Sequence, residues 1–142
     1  MMTKWELGDA LSGYHNQWIE EIRDSVQPLP HMRENHTFMM NVTKMAPLLD
    51  RVRSVTGTHL RLHQIRGIVL PTFRQVAVHR HLSQRVYLYM LHNHESALRF
   101  GAAGERVETR EGRLVEILEQ QYHSVEYNKW DARYTIALMF IV

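Results

Sequence analysis

The chain has 142 residues, a length that predicts one domain around a single core. Hydrophobic residues make up 44% of it and charged residues 23%, so the composition excludes a disordered, collagenous or coiled-coil protein. Ten histidines and no cysteine exclude zinc fingers and disulfide frameworks, and they require any transition-metal site to use imidazole, carboxylate or water.

The formal charge of +2 comes from 17 basic and 15 acidic residues that are interspersed along the chain. Because there is no block of Lys or Arg, this pattern permits nucleic-acid binding but does not indicate it, and it leaves a protein partner or a homodimer open. The first residues lack an apolar signal segment, and no stretch approaches the length of a membrane span. We therefore expect no membrane partner and a cytoplasmic location.

Residues 1–57 predict two helices and one strand. Apolar residues recur at three- and four-residue steps over residues 3–26, which is the period of a helix that buries one face. Residues 36–44 are rich in β-branched and large apolar side chains and predict a strand. A second helix is expected over residues 46–55, with Gly57 just beyond its end.

Residues 58–142 predict an antiparallel β structure, because short segments rich in Val, Ile, Leu, Tyr and Phe alternate with turns that leave no room for crossover helices. Such strands form a sandwich or barrel, and we expect a small jelly roll with the amino-terminal helices packed on one sheet. We expect residues 1–142 to be one domain, in which the first 57 residues support the jelly-roll core. The expected strands are residues 59–69, 76–81, 85–91, 97–100, 105–109, 113–118, 122–127 and 133–141.

Three histidines have the spacing of metal ligands. His79 and His81 are two residues apart in a predicted strand, so their side chains project to the same face. His123, in the next-to-last strand, supplies a third imidazole, and three imidazoles can occupy one face of an octahedral ion and leave positions open for substrate and oxygen. The simpler alternative is that the first two lie on a polar surface and that His123 is a hydrogen-bonded core residue.

Arg133 lies near the start of the otherwise apolar last strand, with Thr135 on the same face. A guanidinium that points into a barrel needs an anion, because an unpaired buried charge is costly. A carboxylate ligand would satisfy it with two parallel hydrogen bonds. The alternative is an ion pair at the strand edge with Asp131 or Glu126. A further histidine group, residues 92–95, imitates a metal motif but falls in a predicted polar turn.

The distal half of the chain resembles a known family in three segments: residues 112–117 (Gly-Arg-Leu-Val-Glu-Ile), residues 122–128 and residues 131–136. Together they resemble the carboxyl-terminal signature of the aspartyl/asparaginyl β-hydroxylase-like branch of the 2-oxoglutarate-dependent oxygenases. Upstream, His79-Arg80-His81 followed by residues 85–88 is similar to the first metal motif of that family and to the strand after it.

The resemblance implies a double-stranded β-helix that holds Fe(II), binds 2-oxoglutarate as cosubstrate and hydroxylates a substrate that the sequence does not identify. His79 and His123 would be the iron-binding histidines. Arg133 would bind the far carboxylate of 2-oxoglutarate, with Thr135 as a hydroxyl partner. No catalytic residue is expected beyond the metal centre.

Two positions depart from the family pattern. Arg85 and Tyr87 stand where the family often places an arginine and a histidine that also touch the cosubstrate, so Tyr87 is one departure. His81 is the other, because most relatives carry aspartate there. A three-histidine iron centre is chemically workable and resembles that of cupin-type dioxygenases. The change at His81 leaves open a metal preference such as Zn(II) or Ni(II), or a His81 that is turned away while a water completes the site. Two other interpretations are a cupin-type metalloenzyme that does not use 2-oxoglutarate, and a non-catalytic jelly-roll interaction protein of the phage or mobile-element accessory type.

Overall fold

The computed structural model describes residues 3–25, 35–71, 76–92, 96–101, 104–126 and 132–142. The helices within these ranges are α1 (Gly8–Leu11), α2 (His15–Ser25) and α3 (Ala46–Thr56), with a 3₁₀ turn over Ser12–Tyr14. The strands are β1 (Lys4–Glu6), β2 (His36–Met39), β3 (Arg61–Leu70), β4 (Val76–His79), β5 (Gln84–His92), β6 (Ala97–Phe100), β7 (Glu105–Glu108), β8 (Arg113–Ile117), β9 (His123–Val125) and β10 (Arg133–Ile141).

The strands form two antiparallel sheets, which confirms the predicted mainly-β fold. The larger sheet has the order β1-β8-β5-β10-β3-β2, and the smaller has the order β4-β9-β6-β7. Apolar residues from both sheets share one buried cluster, so the sheets pack face to face as in a jelly roll. Met90 and Ala137 contribute to this cluster from the larger sheet, and Leu98 and Phe100 contribute from the smaller.

The amino-terminal helices cover the other face of the larger sheet, as predicted. Trp18 of α2 is fully buried, and its ring meets that of Tyr89 on β5 edge to face at 6.1 Å. Leu48 and Val52 of α3 belong to the same buried cluster. The larger sheet is therefore buried on both faces, and its strands carry apolar residues at odd and even positions alike.

The amino-terminal prediction of one helix over residues 3–26 is wrong in its first part, and residue 26 lies outside the described residues. Residues 4–6 instead form β1, which pairs with β8 and places Trp5 opposite Leu114. The chain then passes so close to the β8 turn that a side chain on Gly112 would lie 2.5 Å from the Cα of Gly8. Gly112 also has a φ of 85°, which favours glycine.

The other predicted elements are present with small shifts. The strand expected over residues 36–44 ends at Met39, because residues 42–45 form a turn in which the Asn41 side chain accepts a hydrogen bond from the Lys44 backbone N–H. Helix α3 is one residue longer than expected and ends at Thr56, where Gly57, with a φ of 70°, caps it. None of the described helices has the length and apolar character needed to cross a membrane.

Candidate metal centre

Three predicted ligands come together at one end of the smaller sheet. His79 at the end of β4 lies opposite His123 at the start of β9, and the centres of their rings are 4.1 Å apart. The ring of His81 lies 5.3 Å from each of the other two. One nitrogen from each residue lies within 4.8 Å of the others, a spacing that one metal ion could bridge. We call these residues the three-histidine cluster.

His81 lies beyond the end of β4 and not inside the strand that the sequence predicted. Its carbonyl accepts a 2.6 Å hydrogen bond from the backbone N–H of Gln120, in the turn between β8 and β9. Gln120 has a φ of 62°, the left-handed conformation that allows a tight turn at this point. The third imidazole is thus positioned by a contact between two loops, whereas the other two are positioned by strand register.

Backbone contacts orient two of the imidazoles for binding. The Nδ1 of His79 lies 2.9 Å from the carbonyl of Ala77, and the Nδ1 of His123 lies 2.9 Å from the carbonyl of Gln121. A carbonyl can only accept, so each Nδ1 carries a proton, and in the neutral ring the lone pair is then on Nε2. Metal-binding histidines commonly have this second contact, which fixes the tautomer and the ring orientation.

Burial favours the neutral form of two of these imidazoles, those of His81 and His123. His123 is 3% exposed, and burial is the main cause that lowers its pKa to about 4; its neighbours His79 and His81 lower it further, and the bond to Gln121 opposes the shift. The pKa of His81 is also lowered, first by burial and then by His79. Both side chains are therefore in the form that binds a metal ion.

Arg133 is buried in the same cavity, where it is 2% exposed. Its Nη2 donates a long hydrogen bond of 3.4 Å to the backbone carbonyl of Glu126, and its Nε has no partner among the described residues. Burial lowers the pKa of Arg133 to about 10, against the opposing effect of Glu126, so the group stays charged at neutral pH. This is a buried cation with unused hydrogen-bond donors.

The expected alternative for Arg133, an ion pair at the strand edge, finds no support in the described residues. The carboxylate of Glu126 is bound instead by Arg99, at 2.9 Å, and by Arg106, at 3.1 Å. Asp131 lies outside the described residues. Thr135, two residues along β10, lines the cavity on the same side as Arg133.

A cavity of about 290 Å³ between the two sheets joins these groups. Its apolar wall consists of residues from both sheets, and no Asp or Glu lies among its described lining residues. Its polar lining residues are Asn35, Thr37, Arg66, His79, His81, Thr109, His123, Arg133 and Thr135.

Arg85 and Tyr87, which the resemblance assigns to the cosubstrate, are not among the lining residues of this cavity. Side chains alternate along β5, and Val86, Leu88 and Met90 are its residues that line the cavity. Arg85 binds both carboxylate oxygens of Glu119, at 3.1 and 3.2 Å. Tyr87 is 1% exposed on the helix-covered face, where its hydroxyl donates a 2.8 Å hydrogen bond to Glu116.

Arg66 of β3 is a cavity residue that the sequence interpretation did not single out. Its Nη2 donates to the hydroxyl of Thr37 at 3.2 Å, and its Nη1 donates to the side-chain oxygen of Gln64 at 3.4 Å. The available signal was a charged residue between the apolar residues Ile65 and Ile68 of a strand. Of the other histidine group, His92 ends β5, and residues 93–95 lie outside the described residues.

No family model and no curated protein matches the sequence. Solved structures do match. A prolyl-4-hydroxylase from Pseudomonas putida has a TM-score of 0.73 and 13% identity over 99% of this chain and 91% of its own. A viral collagen prolyl hydroxylase from Paramecium Bursaria Chlorella virus-1, solved as a 2-oxoglutarate complex, has a TM-score of 0.70 and 8% identity over 99% and 96%.

A predicted oxalate decarboxylase from Thermotoga maritima is also similar, with a TM-score of 0.57 and 14% identity over 78% of this chain and 83% of its own. At such low identities the three likenesses show the fold alone. They confirm the predicted jelly-roll architecture, and the matches to the two prolyl hydroxylases each cover 99% of this chain.

Proposed function

We propose that the chain is an Fe(II)/2-oxoglutarate-dependent oxygenase that hydroxylates a substrate not yet identified. The observation that carries this proposal is the placement of the three-histidine cluster and of the buried, under-bonded Arg133 in one cavity. A metal site alone suits many chemistries. A metal site that shares an apolar cavity with a buried cation suits a ligand that chelates at one end and carries a carboxylate at the other.

The donor set is compatible with this assignment. Imidazole nitrogen suits Fe(II), as it also suits Zn(II) and Ni(II), and three such ligands leave positions for a chelating cosubstrate. Because a histidine ligand carries no negative charge and the described lining holds no carboxylate, the charge of a divalent ion and of Arg133 is not balanced by the protein. The dianion 2-oxoglutarate would supply two of the three negative charges needed to balance them.

Each group would have a distinct role. The three-histidine cluster would hold the ion, and Arg133 would orient the far carboxylate of 2-oxoglutarate, with the hydroxyl of Thr135 beside it. The apolar wall would exclude water from the reacting atoms. When bound, the iron and its cosubstrate supply the activation of oxygen, coupled to the oxidation of 2-oxoglutarate to succinate and carbon dioxide.

The similar structures support the class but not the branch. Two of them are hydroxylases by description, and one was solved with 2-oxoglutarate. The finer assignment, to the aspartyl/asparaginyl β-hydroxylase-like branch, depends on the sequence resemblance alone and is part of the proposal. The single-domain organisation and the cytoplasmic location likewise stay predictions.

A second candidate, a cupin-type metalloenzyme that does not use 2-oxoglutarate, is favoured by the all-histidine donor set and by the similarity to a predicted oxalate decarboxylase. It predicts metal binding without 2-oxoglutarate binding. The two candidates separate when 2-oxoglutarate is titrated against the metal-loaded wild type and the Arg133→Ala variant. The non-catalytic interaction protein predicts neither metal nor cosubstrate binding.

Turnover tests the proposal. The protein is incubated with Fe(II), 2-oxoglutarate and oxygen, and succinate is measured by mass spectrometry. We expect succinate in proportion to protein, its loss in His123→Ala and Arg133→Gln, and its retention in His63→Ala, whose side chain is exposed on β3. Succinate no higher in the wild type than in His123→Ala would overturn the proposal.

A further inference from the structure

The cavity contains a second guanidinium besides that of Arg133, namely that of Arg66, and the two lie apart along the strands. Arg66 of β3 lies opposite Ala137 of β10, whereas Arg133 lies opposite Leu70. The two arginines are therefore four residues apart along the paired strands, which corresponds to about 14 Å at 3.4 Å per residue. One small ligand held by Arg133 and the three-histidine cluster leaves Arg66 for another group.

The positive charge of Arg66 is not neutralised by the described residues around it. Its two hydrogen-bond partners, Thr37 and Gln64, are neutral. The described lining of the cavity contributes no carboxylate. These two contacts orient the guanidinium, and Thr37 adds a hydroxyl to the lining beside it. The site is thus arranged for an anion from outside the chain.

The rest of the neighbourhood is apolar. Ile68 follows Arg66 on the same face of β3, Ala137 lies opposite it, and Met139 and Leu88 line the cavity from β10 and β5. A ligand that places an anion on Arg66 would therefore lay a hydrocarbon body along this wall, where burial of apolar surface stabilises binding.

We propose that Arg66 binds the carboxylate of the substrate, and that the substrate is an apolar carboxylic acid. This inference rests on the proposed function, because it assigns 2-oxoglutarate to Arg133 and to the metal and leaves Arg66 for the molecule that is hydroxylated. A planar carboxylate on the planar guanidinium would fix one end of the substrate and so select which carbon faces the metal centre.

The test compares two probes of the same shape, octanoate and its neutral amide octanamide. Each is titrated by calorimetry into protein loaded with Zn(II) and 2-oxoglutarate, which does not turn over. We expect the wild type to bind octanoate about tenfold or more tightly than octanamide, since a charge-assisted pair adds to a shared apolar contact. Arg66→Gln should remove this preference and leave the affinity for 2-oxoglutarate unchanged.

Two further variants keep the test decisive. Arg61→Gln removes an exposed arginine from the same strand and should keep the preference for octanoate. Arg66→Lys retains the charge without the planar guanidinium and should keep only part of the preference for octanoate. This variant keeps the inference testable even if Arg66→Gln does not fold.

The outcomes separate this inference from the function on which it rests. Equal binding of the two probes by the wild type, or binding of neither, would overturn the inference. Loss of 2-oxoglutarate binding in Arg66→Gln would also overturn it, because Arg66 would then be the cosubstrate anchor. If wild-type protein binds octanoate through Arg66 but never binds 2-oxoglutarate, the proposed oxygenase fails and the carboxylate site remains.

Discussion

His79 and His123 occupy directly opposed positions on β4 and β9, and their ring centres lie 4.1 Å apart. Opposed residues on neighbouring strands project to the same face, so the register of this pairing directs both imidazoles into the cavity. A slip of one residue would turn one of them to the other face. The candidate metal centre therefore depends on the pairing of two short strands.

This arrangement predicts that His79→Ala and His123→Ala each weaken metal binding by about 100-fold or more, since even the outer contacts of metal ligands are commonly worth 10- to 100-fold. The measurement is metal content after loading with Fe(II), on protein without a histidine tag. Wild type should hold close to one ion per chain. His63→Ala, on an exposed position of β3, is the control and should not change the content. Metal loss in the control as well would contradict the assignment.

His81→Asp should bind Fe(II) at least as tightly as the wild type. Aspartate would keep three protein ligands and would add a negative charge and a hard oxygen donor. His81→Ala removes a ligand and should weaken binding by about tenfold or more. Competition with a chelator measures both affinities. If the two variants behave alike, His81 does not contribute a ligand.

Arg133→Met should stabilise the protein without ligand while it abolishes 2-oxoglutarate binding. The wild-type guanidinium is buried with an unpaired Nε, and replacing such a charge by an apolar side chain of similar volume is worth about 1–3 kcal/mol of unfolding free energy. At 2-oxoglutarate about 100-fold above its dissociation constant, the wild type should gain about 2.7 kcal/mol and the variant nothing. Urea unfolding with and without 2-oxoglutarate checks both effects. A variant that is less stable without ligand would contradict the first.

We predict that ionisation of the buried Tyr89 hydroxyl lowers the stability of the protein at alkaline pH. Burial, followed by the charge of Glu111, raises its pKa to about 12, against about 10 in the unfolded chain. At a pH between these two pKa values the folded state keeps a proton that the unfolded state releases. The contribution of Tyr89 to the free energy of unfolding is therefore complete below about pH 10 and is lost as the pH rises toward 12. The loss is at most about 3 kcal/mol.

Urea unfolding at about pH 9 and about pH 11.5 measures this effect as the difference between wild type and Tyr89→Phe. Tyr89→Phe should lose less stability over that interval. Tyr122→Phe changes an exposed tyrosine and should follow the wild type. Parallel curves for all three proteins would show that the Tyr89 hydroxyl does not carry the dependence.

The local sequence pattern was enough to predict most elements of the fold. The strands observed at Ala97–Phe100 and Arg133–Ile141 have the predicted bounds, because each is a short segment of mainly apolar residues. Strand β1 could not be predicted, since Trp5 falls in phase with the helical apolar pattern that follows it. Its strand conformation depends on pairing with β8, a contact more than a hundred residues away in sequence.

For the site, the sequence alone offers one short-range rule, the alternation of side chains between the two faces of a strand. The spacing of His79 and His81 predicts a shared face, but His81 lies beyond the end of β4, where a loop contact positions it. The meeting with His123 depends on the register between strands. That Arg85 and Tyr87 lie away from the cavity could not be predicted, because β5 is buried on both faces and its sequence gives no sign of which face lines the cavity. Arg66 was not singled out for the same reason, because the sequence of β3 does not show which of its faces lines the cavity.

The central claim is that the three-histidine cluster and Arg133 together hold iron and 2-oxoglutarate. The most direct measurement is the visible charge-transfer absorption that appears when 2-oxoglutarate chelates Fe(II) in the absence of oxygen. We predict that wild-type protein loaded with one Fe(II) per chain develops this band with one equivalent of 2-oxoglutarate, that His123→Ala does not, and that Arg133→Gln needs far more 2-oxoglutarate. Iron-loaded wild-type protein that shows no band at saturating 2-oxoglutarate would contradict the account.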